Sequence, residues 1–184
     1  MNTGIIASRY AKAFLEYVTQ EGAGENVYSQ ACALVYMFST LEQFKEYVES
    51  PSDISVDRKT ELLTAALGSP VDPAIVSFLK MVTAHRRTEF FPRMLLSFIE
   101  QYRKQNDIMV GRLVSAVPID GLRQRLEDMF HDRTGAQVHL EENIDSSLVG
   151  GFVFELDGYR LDASVESHLE RLRRQIVEKN NRIV

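Results

Sequence analysis

Four histidines, one cysteine and a pair of adjacent glycines are the residues of this 184-residue chain whose types could do chemistry. A protein metal site needs several imidazole, thiolate or carboxylate ligands brought together, as two histidines at i and i+4 on one helix face do. His85, His131, His139 and His168 stand at no such spacing. Cys32 has no second thiol for a disulfide or a shared metal, and on the helical run QACALVYMF it reads as a small buried hydrophobe. No Gly-x-x-x-x-Gly-Lys-Ser/Thr, Gly-x-Gly-x-x-Gly or Gly-x-Ser-x-Gly occurs, so neither a standard phosphate cradle nor a nucleophile elbow is encoded. Gly150-Gly151 could be read as a phosphate loop. Inside a β-rich run, adjacent glycines more simply mark a bulge or a close backbone approach, and that is the preferred reading. No catalytic residue, metal or cofactor is therefore expected.

The bulk properties are those of an ordinary globular protein. Hydrophobic residues make up 45% of the chain and charged residues 26%, an ordinary globular composition, and the net charge of −5 advertises no polyanionic partner such as nucleic acid. No apolar run approaches the roughly 18 residues of a membrane span, and no leader-like pattern opens the sequence, so a reducing cytoplasm is the expected setting.

Two parts must position whatever site exists. Thirteen of the seventeen aromatics precede Asn106, and residues 1–105 carry net charge −1 against −4 for 106–184. The first part reads as six helices: about 4–20, 25–39, 41–49, a fourth from Ser55 or Asp57 to Gly68, a fifth opened by Asp72-Pro73, and a sixth from Thr88 with Pro92 in its first turn. Ser50-Pro51 stops the third, because a residue before proline avoids the helical region. Arg86-Arg87 after the fifth reads as a solvated cap favoured by the helix dipole. Short connections make this an N-terminal all-α six-helix bundle.

The second part, 106–184, reads as a small α+β domain in the order β-α-β-β-β-α: strands at 108–117, 137–140, 148–156 and 159–161, with Asp157-Gly158 as a hairpin turn. Asp120 is expected to cap the first helix, closed by Gly135, and Asp162 or Ser164 the last. On that last helix Val165, Leu169, Leu172 and Ile176 form one apolar stripe, while Arg171, Arg173 and Arg174 can pair along the helix with Glu166, Glu170 and Glu178.

One helix carries more apolar surface than a bundle member requires. On a wheel of about 100° per residue, Ile6, Ala7, Tyr10, Ala11, Ala13, Phe14, Leu15, Tyr17 and Val18 span roughly 200°, where a surface helix needs a stripe only somewhat over 100° wide. Either the helix is central to its bundle, or it is covered twice, by its own core and by a partner. The fifth helix behaves similarly through Ala74, Ile75, Phe78, Leu79, Met81 and Val82. Two such helices point to a groove for an amphipathic helix, placed between Ala7, Tyr10, Ala11 and Phe14 on one side and Ile75, Phe78, Leu79 and Val82 on the other.

Four segments together resemble the delta subunit family of bacterial F-type ATP synthase, whose mitochondrial counterpart is the oligomycin-sensitivity-conferring protein. They are ASRYAKAFLEYV, FLKMVTAHRRTEFFPRMLLSFIEQY, VGRLVSAVPI and LVGGFVFELDGYRLDASVESHLERL, which run through the chain in family order. The last contains the family's paired glycines Gly150 and Gly151, the Asp157-Gly158 hairpin and Asp162 before the final helix; it departs at Ala163, where glycine is usual. The resemblance implies a non-catalytic stator subunit in the peripheral stalk, at the cytoplasmic face of the cell membrane without spanning it. It implies that 1–105 binds the N-terminal helix of a head α subunit through the first and fifth helices, and that 106–184 binds the b subunits. Without the resemblance, the residues describe a cytoplasmic helical adaptor that binds an amphipathic helix of some other partner.

Overall fold

The computed structural model describes residues 3–50 and 54–180, with the side chains of 4–50 and 54–174. The chain divides into two compact units, Met1–Gln105 and Asn106–Val184.

The first unit is helical throughout: α1 (Thr3–Glu21), α2 (Gly24–Thr40), α3 (Glu42–Glu49), α4 (Val56–Leu67), α5 (Pro73–Ala84), a 3₁₀ turn at Thr88–Phe90 and α6 (Phe91–Gln105). Local chemistry sets most boundaries. The Ser55 hydroxyl accepts from the Arg58 amide at the start of α4, and Gly68 ends that helix at φ 65°. Asp72 accepts from the Ala74 amide at 2.9 Å, with Pro73 in the first helical position of α5. The end of α3 is set differently. Pro51 lies outside the described residues, but the carbonyls of Val48 and Ser50 receive the Lys59 ammonium, and that of Glu49 receives the Thr88 hydroxyl at 3.2 Å. Lys59 is fully buried.

The core of this unit is aromatic. Phe14 stacks on Phe78 with ring centroids 4.2 Å apart and leans on Phe98 at 4.8 Å, while Phe78 reaches Phe91 at 5.8 Å. These contacts join α1, α5 and α6 around one centre. Phe38 and Phe44 close the α2–α3 corner at 5.0 Å.

The second unit is α+β: β1 (Ile108–Ser115), α7 (Leu122–Thr134), β2 (Gln137–Ile144), β3 (Phe152–Leu156), β4 (Tyr159–Asp162) and α8 (Val165–Asn180). The sheet order is β2-β1-β3-β4, with β1 parallel to β2 and antiparallel to β3, and β4 antiparallel to β3. Leu113, Val138, Leu140, Phe154 and Leu156 bury one sheet face with Leu126 of α7, and Phe130 stacks on Phe154 at 4.9 Å. Gly111 lies in that face because a Cβ there would come within 2.5 Å of the Glu155 carbonyl oxygen.

Three expectations are corrected. Asp120 does not cap α7: Gly121 occupies the cap position at φ 72° with no side-chain bond, so the chain turns through a left-handed glycine. The strand expected at 148–156 begins only at Phe152, because Gly151 at φ 81° cannot sit in a ladder and Leu148 is held in a turn by the Asp145 carbonyl. β2 runs on to Ile144, since backbone pairing with the whole of β1 carries the polar residues Glu141, Glu142 and Asn143 along. β2 is an edge strand, and both glutamates are exposed.

Candidate partner-binding site

α1 and α5 lie side by side and run in opposite directions. Tyr10 meets the residues just past the end of α5, and one turn later Phe14 meets Phe78 in its middle. Between the two helices is an open apolar depression of about 280 Å³, lined by Ala13, Phe14 and Tyr17 from α1 and Ser77, Phe78 and Met81 from α5. Tyr17 and Met81 form its rims at 41% and 39% exposure, and the stacked rings of Phe14 and Phe78 form its floor.

This groove lies between the expected helices but is built from different side chains. Of the eight residues assigned to it, Ala7, Ala11, Phe14, Ile75, Phe78, Leu79 and Val82 are buried in the core and Tyr10 is half-buried; only Phe14 and Phe78 also border the groove. The physical reason lies in the wide arc of α1. Ala7, Ala11, Phe14, Leu15 and Val18 take the half that faces α6 and the rest of the core. Ile6, Tyr10, Ala13 and Tyr17 occupy one margin of the arc; Ile6 and Tyr10 still pack partly against the core, whereas Ala13 and Tyr17 are exposed. On α5, Ser77 and Met81 hold the corresponding margin. Ala11 is fully enclosed and offers no backbone approach. The wheel alone could not have found them: Ala13 and the buried Leu15 stand at the two ends of the α1 arc, equally far from its centre, and only the packing of α6 decides which end is covered.

Past α5 the chain does more than the solvated cap expected of Arg86-Arg87. The Arg86 amide donates to the Thr83 carbonyl and the Arg87 amide to the Val82 carbonyl. This is the double closure that usually places glycine in the left-handed position, yet here Arg86 occupies it at φ 55°. The reversal lays Arg87 over Tyr10, with its guanidinium carbon 5.3 Å from the ring centroid and Nη1 donating to the Tyr10 hydroxyl at 2.8 Å. The His85 ring packs edge-on against Tyr10 at 6.4 Å.

In the second unit, Gly150 and Gly151 hold a close crossing. A Cβ on Gly151 would collide with the Ala163 carbonyl oxygen, and one on Gly150 would touch Val165 Cγ2 at 3.0 Å. The pair presents its carbonyls to the fold: Gly150 accepts from the Val165 amide at 2.9 Å and Gly151 from the Ala116 amide at 3.3 Å. A phosphate cradle would need amides pointing outward instead. Asp157 and Gly158, at φ 45° and 81°, make the β3–β4 turn. Asp162 accepts from the amide and hydroxyl of Ser164 and from the hydroxyl of Ser167, which together hold its carboxyl down at about 2. Ser164 in turn accepts from the Ser167 amide at 3.2 Å, so the two residues start α8 jointly.

On α8, Val165, Leu169 and Leu172 are exposed; the side chains of Ile176 and Glu178 lie outside the described residues. Glu170 and Arg174 pair at 3.4 Å. Cys32 is partly buried against the first unit's core. A second depression, of about 520 Å³, lies over the sheet face away from α7, where Glu141, Arg112, Glu155 and Arg160 follow one another across the four strands; Glu155 and Arg160 pair at 3.1 Å. Among the described residues, no cluster of three histidine, cysteine or acidic side chains could hold a metal, and no helix is long and apolar enough to cross a membrane.

Comparison with known proteins gives one answer. The profile of the ATP synthase delta (OSCP) subunit family matches residues 6–176. The ATP synthase subunit delta of Bacteroides fragilis is 36% identical, with both chains covered in full. That of Phocaeicola vulgatus is 35% identical, again over the full length of both. Among solved structures, a chain of the cryo-EM structure of the Toxoplasma gondii mitochondrial ATP synthase hexamer superposes with a TM-score of 0.63 at 23% identity, covering 93% of this chain and 97% of its own, which is a likeness of fold.

Proposed function

The chain belongs to the ATP synthase delta (OSCP) subunit family, and we propose from that membership how its two units divide the work. It is a non-catalytic subunit whose partners are other subunits of the synthase. Residues 1–105, a six-helix bundle, hold the N-terminal helix of a head α subunit in the α1–α5 groove. Residues 106–184 engage the b subunits of the peripheral stalk. The chain sits at the cytoplasmic face of the membrane as a stator, and holding the head still is what turns ion-driven rotation into ATP synthesis.

The observation that carries the first assignment is the groove itself. Tyr17 and Met81 stand as half-exposed rims over a floor of stacked phenylalanines, an arrangement that accepts the apolar face of one helix. Fully covering a large apolar side chain contributes about 1.5–3 kcal/mol; Phe14 and Phe78 are already buried, so the gain on binding comes from the exposed part of Tyr17 and Met81, with the floor supplying shape.

The test is direct. A synthetic peptide of the α subunit's first twenty or so residues is titrated into the full-length protein and into Met81→Asp. A charge on a rim that the bound helix would cover should weaken binding at least roughly 30-fold, from about 2 kcal/mol lost. Unchanged affinity would remove this groove from the α-binding role.

A further inference from the structure

Every described side chain of α8 except Ser167 is exposed. Val165, Leu169 and Leu172 share one face at 42%, 56% and 43% exposure, so the fold leaves the stripe encoded by this helix uncovered. The stripe steps by four, three and four residues, with Ile176 as its next position in the sequence. That is the seam of a coiled coil, with 165 and 172 at the d positions and 169 and 176 at the a positions. The e positions, which flank the seam on one side, hold Glu166 and Arg173. Among the described residues neither makes an ion pair, whereas Arg174 is taken by Glu170 and the Arg171 Nε donates to the Ser167 carbonyl.

We infer that α8 is a self-association surface: in the free subunit it pairs with α8 of a second copy, antiparallel, about a two-fold axis near residues 170 and 171. In an antiparallel pair the e positions of one helix face the e positions of the other. Glu166 then meets Arg173 of the second copy, and the two-fold repeats the pairing on the other half. Leu169 lies opposite Leu172 in both central layers, and Val165 lies opposite position 176 in the outer ones. A parallel pair would set e against g, bringing Arg173 beside His168 and leaving Glu166 without a cation. The charges thus select the occupant, because the antiparallel complement of Glu166 and Arg173 is the same helix again. α8 has 16 residues, a length of about 24 Å. Its seam covers less than the roughly 1,200 Å² that stable interfaces bury, so the dimer is weak, with a dissociation constant of roughly tens of micromolar. The inference does not depend on the groove between α1 and α5.

Sedimentation equilibrium of the full-length protein from about 1 to about 300 µM tests this, since association follows mass action. The average mass should rise from monomer toward dimer across that range. Leu169→Asp should stay monomeric throughout and melt as the native protein does, because the side chain it replaces is exposed. Arg173→Glu and Glu166→Arg should each weaken pairing at least about 5-fold at low salt, where charges are least screened. The double variant restores opposite charges and should return to within about 2-fold of the native protein. Native protein that is still monomeric at the highest concentration overturns the inference; if Leu169→Asp then fails to bind a C-terminal peptide of the b subunit, the stripe belongs to the stalk instead. A dimer that survives Leu169→Asp overturns it too, because another surface would hold the copies together. So does a double variant no better than the single reversals, because the helices would not pair antiparallel.

Discussion

The ammonium of Lys59 donates to the carbonyl oxygen of Val48 at 2.9 Å, eleven residues back along the chain, and reaches that of Ser50 at 2.6 Å. A cation in the first turn of α4 thus serves the C-terminal end of α3, where the helix dipole favours positive charge. Burial lowers the pKa of this lysine. A base whose pKa is depressed on folding leaves the unfolded chain holding more protons between the two values, so stability rises with pH across that interval. Chemical denaturation of the native protein and of Lys59→Met, followed from pH 7 to pH 10.5, should therefore show the native protein gaining relative to the variant as pH increases. Parallel curves would mean that the ammonium is not desolvated.

Ala11 and Ala13 differ by two residues and face opposite fates. Ala11 is fully buried, whereas Ala13 is exposed on the groove wall. Ala11→Asp should lower stability by several kcal/mol, because a carboxylate would be enclosed without a partner. Ala13→Asp should cost less than about 1 kcal/mol, mainly helix propensity, while still impairing occupation of the groove. Thermal melts of the two variants decide the point, and similar losses would contradict the division of the α1 arc into a core half and a groove margin.

The two adjacent glycines are also unequal. Gly151 combines φ 81° with a blocked Cβ position, whereas Gly150 has an ordinary φ and only a side-chain neighbour that can shift. Gly151→Ala should destabilise the second unit by more than about 2 kcal/mol, and Gly150→Ala by about 1 kcal/mol or less. Urea titrations of both variants test the order; a reversed order would mean that the Ala163 crossing can open.

These positions also separate what was legible in the sequence from what was not. Ser55, Gly68 and the Asp72-Pro73 pair announced their helix ends because a cap acts within a few residues of itself. Lys59 did not, since its partners belong to another helix and a lysine at that spacing reads as surface. The full length of β2 was hidden for a related reason: its polar half is ordered by the backbone of β1, which leaves no side-chain pattern. The α1–α5 groove was legible as a surplus of apolar arc. Which margin supplied it depended on where α6 packs. The Arg86 reversal gave no local signal, because arginine rarely takes a left-handed turn.

Asp162 gives an acid-side prediction. Its carboxyl is held at about 2 by the Ser164 hydroxyl and amide, together with the Ser167 hydroxyl. A carboxylate depressed on folding contributes stability that is present above its ordinary value and lost as pH falls, here between about 4 and about 2. Asp162→Asn should therefore be less stable than the native protein at pH 7, and the two should converge toward pH 2. A gap that persists unchanged at pH 2 would assign the effect to geometry rather than charge.

The exposed edge of β2 has a consequence for the chain before it joins any complex. A subunit of a large assembly exists for a time alone, and an open strand edge is where free copies stick to one another. Glu141 and Glu142 stand side by side on that edge, so a second copy approaching edge to edge would bring carboxylates against carboxylates. β4, at the other end of the sheet, is only four residues long. Both open edges of the sheet are thus blunted against pairing with a free copy, one by charge and the other by its shortness.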